Sequence, residues 1–204
     1  MKTIYLECAM GAAGDMLMSA LSELLTPAAR EEFFHTMNHL GLPGVQVKRL
    51  EAESCGIRGV RVEVTVRGQE EHSEDVDLRG EAEHAHAHAH PHDHVHAHTH
   101  EEHSHARHAH HHHASMDEIR ALVQGMPVCE PVRQDVLAVY GLIAEAEAHA
   151  HGCPVEQIHF HEVGTLDAVA DVTGVCLLMQ MLAPQQVLAS PVHAGSGHVR
   201  CAHG

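Results

Sequence analysis

The sequence predicts an α/β fold, a small mixed sheet with packed helices, interrupted by a long disordered His-rich loop. Three observations carry this. Thr3 to Glu7 reads as a short strand that breaks at Met10-Gly11-Ala12-Ala13-Gly14-Asp15 before a helical pattern from Met16 to Leu25, and strand, glycine loop, helix opens an α/β unit. From Ser115 onward, helical patterns lead to a last strand at Val187 to Ala189. Between the two halves the chain reads EHAHAHAHPHDHVHAHTHEEHSHARHAHHHH from Glu83 to His113, which holds almost nothing that a core could bury.

The elements follow in order. Gly41-Leu42-Pro43-Gly44 marks a turn, after which Val45 to Leu50 and Val60 to Val66 alternate as a pair of strands separated by Gly56 and Gly59. Ser115 and Glu118 stand at capping-box spacing and start a short helix ending near Gly125. Pro131 opens a longer one over about 131–149, with Val132, Val136, Val139, Leu142, Ile143 and Ala146 at helical spacing. Pro154 begins a turn or short helix, His159-Phe160-His161-Glu162 follows in extended form, and Thr165 to Leu182 is a long apolar helix. Residues 1–67 and 115–204 together form one α/β domain of ordinary size. Residues 68–114 form the His-rich metal-binding insertion.

Composition narrows the function. Twelve Lys and Arg against 28 Asp and Glu give a net charge of −16 with His neutral, which argues against a nucleic-acid groove or an anionic membrane surface and favours cations. The six cysteines, at 8, 55, 129, 153, 176 and 201, form no CxxC pair; the pattern reads as a reduced, cytoplasmic protein rather than a disulfide framework. The N-terminal stretch lacks the apolar core of a signal peptide, and no apolar run reaches bilayer-spanning length.

The histidine tract reads as a metal tether. His84, His86, His88, His90, His92, His94, His96, His98, His100, His103, His105, His108, His110, His111, His112 and His113 supply imidazole, a borderline-soft donor suited to Ni, Zn, Cu and Co. The tract is internal and mixed with Ala, Asp and Glu, unlike an expression tag. A solvated polar insertion without ligand function is the plain alternative. Composition leaves nickel and zinc both open.

A second constellation lies in the ordered part. His159 and His161 alternate about one residue, so in an extended segment both rings face one way, and Glu162 adds a carboxylate. Asp167 and Asp171 follow one helical turn apart and share a face. These groups serve either as metal ligands or as caps and backbone partners at the helix start. His149 and His151 repeat the spacing at the end of the preceding helix, where the helix dipole alone accounts for them. The Gly11 to Asp15 loop presents backbone N–H groups and a helix start to an anion such as phosphate, though it is neither a Walker A loop nor GxGxxG.

Three blocks of this sequence resemble one family. LECAMGAAGDMLMSAL resembles the opening of the LarC family, near D-x-F-S-G-x-S-G-D-M; IHFHEVGTLDAVADVTGVCL resembles its H-F-H-E-V-G-x-x-D-x-x-x-D-x-x-G; ASPVHAGSGHVRCAHG resembles its G-S-G-x-V-x-x-A-H-G. The blocks stand in the family's order and span nearly the whole chain, with a His-rich insertion between the first and second. Ala9-Met10 and Ala12-Ala13 replace the usual hydroxyl-bearing residues of the first block.

The resemblance implies nickel insertion into pyridinium-3,5-bisthiocarboxylic acid mononucleotide, a CTP-dependent cyclometallation that forms one Ni–C and two Ni–S bonds and completes the nickel-pincer cofactor of lactate racemase. Carried over by position, Asp15, Glu162, Asp167 and Asp171 are the expected catalytic groups. Gly11, Gly14, Ser196 and His203 are the expected substrate or cofactor contacts, and His159 and His161 join the tract as nickel ligands. CTP with Mn(II) or Mg(II) is expected in a C-terminal domain that this sequence does not contain, so the chain is expected to bind nickel without completing turnover unless another polypeptide supplies that domain. The expected partners are the pyridinium nucleotide, such a polypeptide, apo-lactate racemase and further copies of the chain. A nickel or zinc storage protein or metallochaperone without catalysis, and a metal-dependent hydrolase, are the competing readings.

Overall fold

The computed structural model describes residues 1–70, 114–160 and 162–196, with the side chain of Glu162 excluded. All of these fall within one contact unit, residues 1–72 and 112–196. The expected histidine ligands at 84–113, together with His161 and His203, lie outside the described residues.

The apolar residues of α5, Leu166–Leu182, occur all around the helix, and such a helix belongs inside. Val169, Ala170, Thr173, Gly174, Cys176, Leu177, Leu178 and Leu182 are buried along it. Helix α1, Gly14–Ser22, crosses α5 closely: a Cβ added at Gly174 would stand 2.2 Å from Met18 Sδ. Helix α2, Pro27–Met37, starts on Thr26, whose hydroxyl accepts the Ala29 N–H at 3.3 Å. No sequence expectation covered α2; only Phe33 and Met37 of it are buried, so its apolar signal is thin.

Helix α3, Met116–Gly125, begins with the expected capping box: Glu118 N–H donates to Ser115 Oγ at 3.3 Å and Ser115 N–H donates to the Glu118 carboxylate at 2.7 Å. Helix α4, Glu130–His151, ends at Gly152, whose φ of 63° is left-handed and closes the last turn. Its buried seam is Val132, Val136, Tyr140, Ala144 and Ala148. The expected stripe shares only part of that seam, and Leu142 is 68% exposed. Counting large apolar residues passes over Tyr140 and the alanines, although small side chains are what let a neighbouring helix approach.

Among the described residues, strands of both orientations form three two-stranded sheets. Strands β2, Val45–Ser54, and β3, Ile57–Val66, form an antiparallel hairpin from the Val45–Val66 pair to the Ser54–Ile57 pair. The connecting residues Cys55 and Gly56 have φ of 51° and 76°, the signs of a type I′ turn. Gly59, expected in the connection, is inside β3. The inner face of the hairpin buries Val45, Val47 and Val62. Ser19 docks α1 at the free edge of β3, since its Oγ donates to Asp15 O at 2.7 Å and accepts the Val62 N–H at 2.7 Å.

Strand β4, Ala114–Ser115, pairs antiparallel with β5, His159–Phe160. Strand β1, Thr3–Leu6, pairs in parallel with β6, Gln186–Ala189, across nearly the whole sequence. No helix among the described residues is long and apolar enough to cross a membrane.

Candidate functional site

Parallel strands end on the same side, and the ends of parallel strands are where α/β proteins gather their ligand loops. Here the loop after β1 and the segment after β6 are stitched together. Ser190 N–H donates to Leu6 O at 2.9 Å, Cys8 N–H donates to Ser190 Oγ at 2.8 Å, and His193 N–H donates to Cys8 O at 3.0 Å. Gly11, at φ 93°, turns the loop toward α1, and a Cβ there would meet His193 O at 3.8 Å. Ser196, exposed, closes the described part of this segment. His193, which the sequence reading passed over, belongs to this loop cluster through its backbone.

The loop delivers the start of α1 to the side of α5. Ala13 is the N-cap and offers no side-chain acceptor, so the first N–H groups of α1 look elsewhere. Asp15 Oδ1 accepts the Met16 N–H at 2.8 Å. From α5, Asp171 comes so close that a Cβ on Gly14 would lie 2.6 Å from its Cβ and from its Oδ2. Only glycine gives the carboxylate that approach.

Asp15, Asp167 and Asp171 thus share one locality, and its electrostatics are unusual for carboxylates. Burial pushes Asp171 up to about 7, with the charges of Asp15 and Asp167 adding to the rise and the Asp15 backbone N–H partly opposing it. One oxygen each of Asp167 and Asp171 is buried with no hydrogen-bond partner among the described residues. A carboxylate serving only as a helix cap would be held low by the donors it satisfies. Asp171 is held high, because burial and the two neighbouring carboxylates outweigh the Asp15 N–H that it accepts.

Tyr140 forms the floor of this region. Its ring is fully buried and packs edge-to-face on Phe160, with centroids 5.5 Å apart. Its hydroxyl donates to Val163 O at 2.9 Å, inside the 3-10 turn Glu162–Gly164 that joins β5 to α5. Burial, then the charges of Asp167 and Asp171, drive its phenol far above the ordinary range, so it remains a neutral donor. The same turn is tight at Gly164, where a Cβ would meet Phe160 Cβ at 2.8 Å. Tyr140 and Gly164 therefore set the path of the chain between the His-Phe-His-Glu segment and the Asp pair.

The remaining expected site residues divide. His159 pairs with Ser115 in the β4–β5 ladder and is exposed, opposite the buried Phe160. Its expected companion His161 and the carboxylate of Glu162 lie outside the described residues. Among the described residues, no three His, Cys, Asp or Glu side chains converge to hold a metal ion. His151 pairs with Glu147 at 3.3 Å in the last turn of α4, in line with the helix-end reading of that histidine.

A family of nickel insertion proteins matches residues 4–204 of the chain. The chain belongs to that family. Its relatives include the pyridinium-3,5-bisthiocarboxylic acid mononucleotide nickel insertion proteins of Akkermansia muciniphila, 32% identical over 205 residues, and Clostridium acetobutylicum, 35% identical over 205 residues. Both alignments cover the whole of this chain, but 42% and 46% of the respective relatives, so it spans less than half their length. No solved structure matches it.

Proposed function

We propose that this chain contributes the nickel-binding and proton-accepting part of nickel insertion into pyridinium-3,5-bisthiocarboxylic acid mononucleotide, the substrate named for its relatives. Forming a Ni–C bond at a ring C–H position, without redox change, releases one proton, while the two thiocarboxylate sulfurs bind the same Ni(II). The observation that carries the reading is the half-buried Asp171, which has one buried oxygen with no partner among the described residues and a pKa raised to about 7. A base poised near neutrality matches the demand of that step.

In this reading Asp171 takes the ring proton, Asp167 and Asp15 keep the locality negative enough to attract the metal, and His159, His161 and Glu162 are transient nickel ligands. The loop from Gly11 to Gly14, ahead of the α1 donors held by Asp15 and Asp171, receives the nucleotide phosphate together with Ser196 and His203 of the segment beyond β6. The tract at 84–113 stores nickel for the insertion step. CTP with Mg(II) or Mn(II), a companion polypeptide carrying the remaining portion of the relatives, a cytoplasmic setting, self-association and delivery to lactate racemase complete the proposal.

Nickel titration tests it against simple storage. A chain lacking residues 84–113 is expected to retain one tightly held Ni(II) by calorimetry at neutral pH, and His159→Ala with His161→Ala is expected to remove that tight site. Loss of all tight nickel binding with the tract would make the chain a storage protein.

A further inference from the structure

The strongest feature outside this site is a pair of histidines well ahead of the tract in sequence. His35 lies in the last turn of α2 and His39 lies in the turn just after it, four residues on and therefore stacked on the same face. Both are exposed. Their ring centroids are 4.1 Å apart and the planes are tilted by 33°. Two imidazoles bound side by side to one ion, through metal–nitrogen bonds of about 2.1 Å, have centroids roughly 4.5–5.3 Å apart. The pair stands within about 1 Å of that separation, and rotation of the exposed His35 ring opens the stack and brings its lone pair round.

A second observation fixes which nitrogen is free. His39 Nδ1 lies 2.7 Å from His35 O, and a carbonyl only accepts, so Nδ1 carries the proton and Nε2 presents a lone pair. A ring N–H held by a backbone carbonyl is the arrangement that orients a metal-ligating histidine and raises its basicity. The backbone under it is anchored as well. His39 N–H donates to Thr36 O at 2.9 Å, and the Asn38 side chain ties the helix end to β2 by donating to Val47 O at 2.8 Å and accepting the Val47 N–H at 3.0 Å. Capping of the helix C-terminus accounts for Nδ1 of His39 but leaves Nε2 without a use.

We infer that His35 and His39 form a two-histidine site for a borderline divalent cation such as Ni(II). No third ligand joins them among the described residues, so water fills the remaining positions and the ion exchanges readily. The site is independent of the insertion chemistry proposed above.

Hydrogen–deuterium exchange of the full chain, read on peptides covering residues 27–40, tests this apart from the tract. Ni(II) added in excess of the tract's capacity is expected to slow exchange of α2 roughly tenfold, as binding at about ten times Kd would do. Mg(II) is expected to have no effect, and His35→Asn and His39→Asn are each expected to abolish the nickel response. If His39→Asn loosens α2 before metal is added, His35→Asn decides, since it keeps the carbonyl contact. An α2 peptide indifferent to Ni(II), or one still protected in His35→Asn, overturns the assignment.

Discussion

Gly14→Ala is expected to destabilise the fold by about 1–3 kcal/mol, the usual cost of forcing atoms into a filled contact. The added methyl would sit 2.6 Å from Asp171 Cβ, an atom fixed to the α5 backbone, so the helices themselves must part. The higher helix propensity of alanine, worth up to about 1 kcal/mol, opposes this but does not win. Gly141 gives the control. It lies within α4 with nothing inside 4 Å of an added Cβ, and Gly141→Ala is expected to stabilise by roughly 0.5–1 kcal/mol. Thermal unfolding of the two variants should shift Tm in opposite directions.

The second large effect concerns pH. Asp171 ionises at an ordinary 3.8 in the unfolded chain and at about 7 when folded. Between those values the folded state holds a proton that the unfolded state has lost, so this group's contribution to stability is complete below about 4 and falls away as pH rises to about 7. Asp171→Asn has no proton to lose. Its stability relative to the parent should therefore rise across that window and level off above it. With the partial exposure of the site discounted, the gain at pH 8 over pH 5 is on the order of 2 kcal/mol. Urea midpoints of both proteins at the two pH values measure it, and the difference cancels the titration of groups remote from the site. A difference that stays constant with pH would mean that Asp171 is ionised throughout.

Local features of the fold were legible because local chemistry encodes them. Ser115 and Glu118 announced their own capping box, Pro131 announced the start of α4, and the alternation of Val45 to Leu50 with Val60 to Val66 announced the hairpin. Helix α2 escaped because charged residues interrupt its apolar positions, even though Thr26-Pro27 is a start signal. The β1–β6 pairing joins Thr3 to Gln186, and nothing in either short strand specifies so distant a parallel partner.

The same limit applied to the site. Asp167 and Asp171 were visible as a pair one turn apart, but the approach of Asp171 to Gly14, and with it the raised proton affinity, depends on how α1 crosses α5. Gly14 reads from the sequence as part of a phosphate-binding loop, and what only the structure adds is that its missing side chain makes room for a carboxylate. Tyr140 was passed over altogether, since a tyrosine in an apolar helix reads as core. Burial is the larger cause of its neutral hydroxyl, and the neighbouring aspartates add to it.

The most direct measurement is nickel insertion itself. The chain would be incubated with Ni(II), pyridinium-3,5-bisthiocarboxylic acid mononucleotide and CTP with Mg(II), both alone and with the portion of the Akkermansia muciniphila relative that it does not span. Mass spectrometry then follows nucleotide that has gained nickel and lost its ring proton. The account predicts product in at least one of these mixtures, and a rate lower by roughly 10²–10⁴ with Asp171→Asn, the range for removing a general base. Product formed as fast by Asp171→Asn, or none in either mixture, would contradict it.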